Sequence, residues 1–317
     1  MAKHVKISLL GFQALTDSYN GDMESHVQKM MNYFNEKLNK VLPDKPDLIM
    51  VPEASDRYPA FSKEKRFEYY NYRGDRIRDM LRDIAKKHSC HIAYSASRNT
   101  PEDKKHPYKN STQIIGRDGN IIDIYDKYFL VPVEHDEYGI EFGKEPKVIQ
   151  TDIGKLACNI CFDLNFNELI EMYRGQKPDL VVFCSQYHGG LKQVQWAYEL
   201  ECYFAGAVDA KAGDSRIINP YGEVVARTTN YQDYITGTVN LDFVIAHIDE
   251  NREKFLALKN KYGSDVTIHD PGSVGSVLIT SERDDITAKD MLKEFEIKNC
   301  VDYFKWVREH RAVNACN

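Results

Sequence analysis

A short apolar run that ends at a cysteine and leads directly into a helical pattern constrains this fold more than any other stretch. Residues 156–160 predict a strand buried in the core. From residue 164 to residue 174 the apolar side chains recur at helical spacing, and Asp163 is placed to cap that helix. Cys161 is therefore expected on a strand-to-helix elbow, where backbone N–H groups and the positive end of the helix dipole favour its thiolate.

Cys161 taken alone has three interpretations. It can be a nucleophile, but free cysteines are also common as small buried hydrophobic residues. With Cys158 it forms a Cys-x-x-Cys pair, which occurs in redox sites and as half of a zinc site. No second pair at zinc spacing follows in the sequence, where Cys184 and Cys202 are isolated. Residues elsewhere in the chain are needed to decide between these interpretations.

Composition and charge argue against several classes of protein. The 317 residues suffice for one large α/β domain or two ordinary ones, and the net charge of −6 disfavours nucleic acid or an anionic membrane as partner. No apolar run is long enough to span a bilayer, and the N-terminus lacks the features of a secretory signal. Seven irregularly spaced cysteines do not suggest a disulfide framework. We therefore expect a cytoplasmic protein with reduced thiols.

Strands and helices alternate in the first part of the chain, and hairpins follow. Residues 58–71 are aromatic and charged without clear period, which predicts a loop with some helix that could wall a site. Arg117-Asp-Gly119 is a hairpin turn signal. This pattern predicts an α/β layered fold with mixed sheets. The strands predicted in this part are 5–11, 47–53, 90–97, 111–116 and 120–125, and the helices are 23–42 and 75–88.

The C-terminal part is more polar than the rest of the chain. Helices are predicted at residues 193–204, 244–261 and 291–311. The tail after residue 263 has too few apolar residues for a hydrophobic core of its own. We therefore predict one main domain, residues 1–262, and a helical C-terminal extension, residues 263–317.

Three chemically complementary residues, Glu53, Lys127 and Cys161, each follow a predicted strand closely. The ends of buried strands are where α/β folds build their sites. A thiolate can attack a carbonyl carbon, and a carboxylate can take the thiol proton and later give it to a leaving amine. An ammonium group and a backbone N–H can hold the resulting oxyanion. The set predicts acyl chemistry at one pocket.

Four motifs in order make the chain similar to the nitrilase superfamily, the carbon–nitrogen hydrolases with a Glu-Lys-Cys triad. The resemblance covers roughly residues 4–260. Two positions depart from the family pattern: Asn167 stands where proline is usual, and Trp196 where arginine is usual. The motifs are Leu-Ile-Met-Val-Pro-Glu at 48–53, Tyr-Asp-Lys-Tyr-Phe-Leu at 125–130, Ile-Cys-Phe-Asp-Leu-x-Phe-x-Glu at 160–168, and Gly-x-Ser-x-Ile-Ile-x-Pro-x-Gly at 213–222.

The resemblance implies a four-layer αββα sandwich and catalysis without metal or cofactor. It also implies a homodimer or larger homo-oligomer that associates through helical faces, with the tail after residue 263 crossing that interface. The implied roles are Glu53 as base, Cys161 as nucleophile, and Lys127 with the Phe162 backbone N–H as oxyanion stabilisers.

Further site residues are proposed around this triad. The family often has a second active-site glutamate shortly after the lysine, and Glu134 and Glu137 compete for that position. We favour Glu137, because Glu137-Tyr138 is nearer to a pairing seen in some members. Substrate contacts are then assigned to Tyr58, Glu134, Tyr187 and His188, the last two because they follow a predicted strand end.

The resemblance favours a small amide or N-carbamoyl compound as substrate over a nitrile, because the Cys-Phe-Asp elbow looks like amidase and carbamoylase members. Acyl transfer to an amine stays open as an alternative. A competing hypothesis from another class is an inactive member that binds a ligand or a partner.

Overall fold

The computed structural model of the chain describes residues 2–16, 21–100 and 105–315. Its strands are β1 His4–Leu10, β2 Leu48–Met50, β3 His91–Asn99, β4 Tyr108–Ile115, β5 Ile121–Asp126, β6 Ile149–Thr151, β7 Gly154–Ile160, β8 Leu180–Ser185, β9 Tyr203–Val208, β10 Arg216–Ile218, β11 Val224–Arg227, β12 Tyr234–Asn240, β13 Phe243–His247, β14 Val266–His269 and β15 Ser276–Ser281. Its α-helices are α1 Met23–Leu38, α2 Lys63–Arg73, α3 Arg76–His88, α4 Pro132–Asp136, α5 Asn167–Arg174, α6 Leu191–Glu199, α7 Arg252–Tyr262, α8 Ala288–Glu294 and α9 Cys300–Asn314. Packing divides these elements into two compact units, one formed by Lys6–Thr238 and the other by the described residues of Met1–Val5 and Val239–Asn317.

The first sheet has the strand order β12-β1-β2-β3-β4-β5. Strands β1, β2 and β3 are parallel, and β3, β4 and β5 are antiparallel. The predicted hairpin between β4 and β5 is confirmed. Gly119 in its turn has a φ of +80°, and a Cβ there would lie 2.8 Å from the carbonyl oxygen of Arg82, so the turn requires glycine.

The second sheet has the order β11-β10-β9-β8-β7-β6, with β7, β8 and β9 parallel. In its register Ile160 lies opposite Cys184. Parallel strands present their carboxyl ends at the same edge of a sheet, where α/β folds place their sites. Cys161 after β7 and Gln186 after β8 therefore emerge side by side.

The two sheets face each other, and helices cover their outer faces. The thiol of Cys184 on β8 hydrogen-bonds with Thr112 on β4 and Ser95 on β3, which joins the inner faces. Helices α1, α2 and α3 pack on the first sheet, and α5 and α6 on the second. The predicted αββα layering is confirmed. The side chains that join helices to sheets include Val27, Met30, Phe34, Ile77 and Leu81 with Ile49 and Ile92, and Leu169, Ile170 and Trp196 with Val181 and Phe204.

The second unit has a core of its own, which the sequence analysis did not expect. Strands β13, β15 and β14 form an antiparallel sheet in that order, and helices α7 and α8 pack on it. The sequence prediction failed because it counted apolar residues after residue 263 alone, whereas the core also draws on the stretch before it. The apolar residues of this core are Ala246, Leu258, Val266, Val277, Ile279, Met291, Leu292 and Ile297.

Three predicted helices are shorter or divided in the structure. The prediction at 244–261 is wrong in its first part, because residues 243–247 form β13 before α7 begins. The prediction at 291–311 is two helices, α8 and α9, separated where Glu296 adopts a φ of +52°. Helix α6 ends at Glu199, and the chain reverses through Glu201 with a φ of +50° to enter β9. None of the helices described here has the length and apolar character needed to cross a membrane.

Candidate active site

Cys161 lies directly after β7 in a strained backbone conformation. Its φ is +49°, a left-handed value that residues other than glycine adopt rarely and that recurs at functional sites. A short 3₁₀ helix, Cys161–Asn165, follows it, and α5 begins only at Asn167. The predicted elbow is therefore present, but a 3₁₀ turn separates it from the α-helix. The N–H of Phe162 lies in the first turn, where N–H groups have no acceptor within the helix.

The buried carboxylate of Asp163 ties this elbow to the segment that carries Lys127. It accepts hydrogen bonds from the Ile160 N–H at 3.1 Å and from the Phe129 N–H at 2.7 Å. It also accepts one from the Tyr125 hydroxyl at 2.8 Å. Burial raises the pKa of Asp163 to about 7, against these hydrogen bonds. Asp163 thus holds the Lys127 segment next to Cys161.

Lys127 lies between two carboxylates in the interior of the molecule. Its side chain is only 2% exposed, and its Nζ is 3.0 Å from Glu53 Oε1 and 2.8 Å from Glu134 Oε2. The side-chain amide of Asn110 donates to the same two carboxylates, at 2.7 Å and 3.1 Å. A lysine this deeply buried is stable as a cation only when it is paired and hydrogen-bonded, as it is here.

The three residues that the sequence predicted to converge do lie together. The Cys161 thiol hydrogen-bonds with the Glu53 carboxylate and with Ser185. Glu53, Lys127 and Cys161 all line one cavity of about 190 Å³. This is below the roughly 300–1,000 Å³ of pockets for drug-sized ligands, so the cavity suits a small molecule.

The three groups shift one another's ionisation. Burial raises the pKa of Glu53, but the charge of Lys127 and hydrogen bonds from Lys127, Cys161 and Asn110 outweigh it, so the pKa is lowered overall. Burial lowers the pKa of Lys127, and the charges of Glu53 and Glu134 raise it by more. Near pH 7 the site therefore holds a carboxylate and an ammonium ion.

The Cys161 thiol is protonated in this resting state, contrary to the sequence expectation of a favoured thiolate. Burial, and then the charge of Glu53, raise the pKa of Cys161 to about 12, although Lys127 opposes the rise. No α-helix begins at the cysteine to supply the expected dipole. Any reaction through the Cys161 thiolate therefore requires a base, and the Glu53 carboxylate interacts with this thiol.

The raised pKa predicts how Cys161 reacts with iodoacetamide. Only the thiolate is alkylated, so below a pKa of about 12 the rate should rise about tenfold per pH unit from pH 7 to pH 9 without a plateau. Peptide mass spectrometry after timed labelling measures it. Cys158, fully buried in β7, is the internal control and should label more slowly. A plateau near pH 8.5, as for an ordinary exposed thiol, would contradict the prediction.

The second glutamate at the site is Glu134, which corrects the sequence-based choice of Glu137. Glu134 contacts Lys127 and also accepts a hydrogen bond from the Val131 N–H at 2.8 Å. Glu137 is exposed at the end of α4 and does not line the cavity. The short helix α4, which begins at Pro132, turns only the earlier glutamate inward.

Three residues predicted to contact substrate lie outside this cavity. Tyr58 is buried in the core, where its hydroxyl donates to the carbonyl oxygen of His26 at 2.8 Å. The hydroxyl of Tyr187 lies 3.3 Å from Asn165 Oδ1. His188 pairs with Asp214 at 3.2 Å. These side chains serve packing and surface contacts and do not form the wall of the cavity.

The cavity contains residues that the sequence analysis missed. Gln186 directly follows β8, so the rule that assigns sites to strand ends could have found it. Its side-chain amide donates to the Glu53 carbonyl oxygen at 3.2 Å. Asn110 lies inside β4, and no local signal marks it. Arg57 and Arg66 also line the cavity, the second within the segment predicted as a wall.

A group of potential metal ligands lies outside the cavity. Ligand atoms of His106, His135 and Glu141 are within 4.8 Å of one another. The two imidazole rings are stacked with centroids 3.9 Å apart, and His135 Nδ1 is 2.9 Å from the carbonyl oxygen of Ile140. None of the three lines the cavity that holds Cys161.

Comparisons with known proteins match most of this chain to one family. The sequence model of the family described as carbon-nitrogen hydrolase matches residues 7–248. The nitrilase and fragile histidine triad fusion protein NitFhit of Caenorhabditis elegans is 24% identical over 249 residues, which cover 71% of this chain and 55% of that protein. The chain thus spans only about half the length of that relative.

Two further proteins extend the comparison. The deaminated glutathione amidase of Dictyostelium discoideum is 23% identical over 268 residues, covering 75% of this chain and 90% of that protein. A solved double mutant of the amidase of Nesterenkonia sp. AN1, in complex with acrylamide, has a TM-score of 0.63 at 15% identity and covers 82% of this chain and 97% of that chain. At that identity the structural likeness shows the fold.

Proposed function

The chain belongs to the carbon–nitrogen hydrolase family, and on that premise we propose that it hydrolyses a small amide through a thioester on Cys161. Glu53 is the general base and acid in this proposal. Lys127 and the Phe162 N–H stabilise the oxyanion. The observation that supports it most is that Glu53 interacts with both Lys127 and Cys161 and that all three line one small cavity.

The first half of the proposed reaction forms the thioester. Glu53 takes the proton of Cys161 as the sulfur attacks the amide carbonyl carbon, which becomes tetrahedral. The negative charge that develops on the carbonyl oxygen is stabilised by the Lys127 ammonium and the Phe162 N–H. The carbon–nitrogen bond then breaks, and Glu53 gives its proton to the leaving amine or ammonia.

The second half releases the acid. Glu53, again ionised, takes a proton from a water molecule that attacks the thioester carbonyl. The same two donors stabilise the second tetrahedral oxyanion. The carbon–sulfur bond breaks, and the proton on Glu53 returns to the Cys161 sulfur. The contact of Glu53 with both Lys127 and the thiol supports a single carboxylate acting in both halves.

Glu134 is a positioning residue in this proposal. Its carboxylate accepts from Lys127 and from Asn110, and both of those donors also contact Glu53. Because one ammonium shared between two carboxylates is held in a fixed place, Glu134 keeps Lys127 directed towards the reacting carbonyl.

Glu134→Gln should lower kcat about 10- to 100-fold, because Lys127 loses a charge-assisted partner. Glu137→Gln, the matched control, should stay within about twofold of the wild type, because that side chain is exposed. Ammonia release from an accepted amide measures both. A larger loss of kcat in Glu137→Gln than in Glu134→Gln would show that Glu137 is the second active-site glutamate.

The proposed substrate class is an amide or an N-carbamoyl compound. The similarity to proteins named amidases supports it, and so does a cavity that accommodates only a small molecule. Nitrile hydrolysis and acyl transfer to an amine use the same triad and are the alternatives. An inactive member that only binds a ligand is the alternative outside enzyme chemistry.

A substrate panel separates these alternatives. Ammonia release is measured for amides, ureides, N-carbamoyl amino acids and nitriles, with and without hydroxylamine as acceptor. Turnover of amides or N-carbamoyl compounds is the expected result, with an acyl adduct on Cys161 in mass spectra at early times. Turnover of nitriles alone would indicate nitrile hydrolysis. Formation of a hydroxamate in place of the acid would indicate acyl transfer. If no compound gives an adduct, the protein only binds a ligand.

Self-association and a cytoplasmic location stay predictions. Helix α9 exposes Phe304, Trp306 and Val307, which supports its use in an oligomer interface. Because residues up to Ile297 contribute to the core of the second unit, the informative truncation ends at Asn299. Sedimentation of that truncated chain should show a smaller species than the full chain, and an unchanged oligomer would rule out a role for α9.

A further inference from the structure

Two guanidinium groups lie in the cavity beside the reacting residues, and the proposed mechanism does not use them. Arg57 follows β2 in the same loop as Glu53, and Arg66 is on α2. The Nη2 of Arg57 donates to Gln186 Oε1 at 2.6 Å, and Gln186 is itself bonded to the Glu53 backbone. Arg66 lies over the ring of Tyr138 at 5.0 Å. Both cations are therefore held at the cavity by neighbouring side chains.

Neither guanidinium has an anionic partner among the residues described. The Nε–H of each is shielded from solvent and donates to no described atom, and no described carboxylate forms an ion pair with either. Arg73, on the same helix as Arg66, contrasts with them because it pairs with the buried carboxylate of Asp56. Both side chains are partly buried, and a shielded N–H donor without an acceptor is unfavourable. Their arrangement suits an anion that enters the cavity.

The two arginines share the cavity with hydroxyl groups. Tyr70 and Ser97 line the same cavity as Arg57 and Arg66. Burial raises the pKa of Tyr70, and its hydrogen bond with Ser97 and then the charges of Arg57 and Arg66 oppose that rise. Guanidinium and hydroxyl donors that line one cavity match the planar oxygens of a carboxylate.

The carboxylates already in the cavity do not neutralise these arginines. Glu53 and Glu134 both contact Lys127, and neither pairs with Arg57 or Arg66. Three cations therefore face two carboxylates, and the surplus positive charge lies on the arginine side. A negative charge on the acyl part of the substrate neutralises this surplus positive charge.

We propose that Arg57, Arg66 and Tyr70 form a carboxylate subsite, and that the substrate is a small amide or ureide whose acyl or carbamoyl part also carries a carboxylate. This rests on the function proposed above, because the subsite is placed relative to Cys161. The cavity volume of about 190 Å³ restricts the substrate to a short chain between the two groups.

The test compares isosteric pairs on the wild-type protein. Succinamate is compared with isocaproamide, and N-carbamoylglycine with isobutylurea, so that each carboxylate is replaced by an isopropyl group. The kcat/KM of the charged member should exceed that of the neutral one by about 10- to 100-fold in one pair at least. The pair with the larger charged-to-neutral ratio of kcat/KM shows whether the preferred carboxylate-bearing substrate is an amide or a ureide. Equal or lower values for the charged members in both pairs overturn the subsite.

Variants connect the preference to the arginines. Arg66→Gln should reduce the charged-to-neutral ratio about 10- to 100-fold, and Arg66→Lys should restore part of it, since lysine keeps the charge but loses the planar fork. Lys63→Gln removes an exposed positive charge from the same helix and should leave the ratio unchanged. A ratio that falls equally in Arg66→Gln and Lys63→Gln would indicate general electrostatics and contradict a specific subsite.

A binding readout separates failure of the subsite from failure of the proposed function. Glutarate should protect Cys161 of the wild type from iodoacetamide and should protect Arg66→Gln at least about tenfold less well at equal concentration. If no amide or ureide is hydrolysed but glutarate protects in this way, the subsite stands and the hydrolase proposal fails. If amides are hydrolysed without charge preference and glutarate gives no protection, the hydrolase proposal stands and the subsite fails.

Discussion

Cys161→Ala should abolish amide hydrolysis, with a loss in kcat of about 10⁴-fold or more. Removing the nucleophile of a hydrolase that forms a covalent intermediate typically costs this much, because only binding and oxyanion stabilisation are left. Cys161→Ser should be almost as inactive, since a serine hydroxyl is harder to deprotonate than a thiol. Ammonia release and the absence of an acyl adduct by mass spectrometry are the measurements.

The fold should survive this change. Cys161 is only half-buried, and alanine removes a single sulfur atom, so the melting temperature should stay within a few degrees of the wild type. Cys158→Ala is the matched control, because that buried thiol lies in β7 next to the elbow but does not line the cavity. It should keep most of the activity. If Cys161→Ala kept activity, or Cys158→Ala lost as much, the thioester mechanism would be wrong.

Lys127→Met should lower both activity and stability. Activity should fall about 10³-fold, because the oxyanion loses its charged donor. The free energy of unfolding should fall by about 3–5 kcal/mol, because the buried Glu53 and the partly buried Glu134 would be left without their shared cation. Urea denaturation and ammonia release measure the two effects.

The pH dependence of this variant distinguishes charge from packing. In the wild type the lowered pKa of Glu53 contributes stability above its unfolded value, and that contribution is lost as the pH falls. Without Lys127, burial should instead raise the pKa of Glu53, so the variant should lose stability as the pH rises through that raised value. The stability gap between variant and wild type should therefore be larger at pH 8 than at pH 5.

Lys147→Met serves as the control for removing a lysine charge. Its ion pair with Asp123 is at the surface, where the lysine side chain is 72% exposed, so the stability change should be within about 1 kcal/mol at either pH. If the stability difference between Lys127→Met and the wild type did not change with pH, the loss would come from packing, which would contradict the charge argument.

The parts of this site that follow directly from strand ends could be predicted from sequence. Glu53, Lys127 and Cys161 each follow a β-strand, and apolar runs together with a hairpin turn signal locate those strands. Glu53 and Lys127 follow strands of the first sheet and Cys161 a strand of the second, so their convergence also depends on how the two sheets face each other. The strand and helix pattern predicted only an α/β layered fold with mixed sheets, and the αββα arrangement was what the resemblance to a family implied.

The choice between Glu134 and Glu137 depended on geometry that spacing does not contain. The turn of α4 directs Glu134 back to the Val131 N–H and to Lys127. A proline followed two residues later by glutamate is a helix-start signal, so the sequence does contain a local signal for the inward direction of Glu134. Asn110 had none, because its contacts with Glu53 and Glu134 cross between elements distant in sequence.

The core of the second unit could not be predicted by counting apolar residues in one segment of the sequence. Its core joins residues before and after the predicted boundary at residue 263, among them Leu258 and Ile279. Apolar content counted in one segment underestimates a core that two segments share. The thiol pKa was also mispredicted from sequence, because burial beside Glu53 outweighs any effect of the following turn.

The enclosed pairing of Lys127 with two carboxylates has a consequence for the energetics of turnover. In the proposed cycle the proton of the Cys161 thiol moves to the neighbouring carboxylate of Glu53. The total charge inside the cavity is therefore the same before and after the transfer. The surrounding low-dielectric medium then has little to reorganise during that step. Added salt should consequently slow the capture of an anionic reactant from solution while leaving the acylation of a bound one nearly untouched.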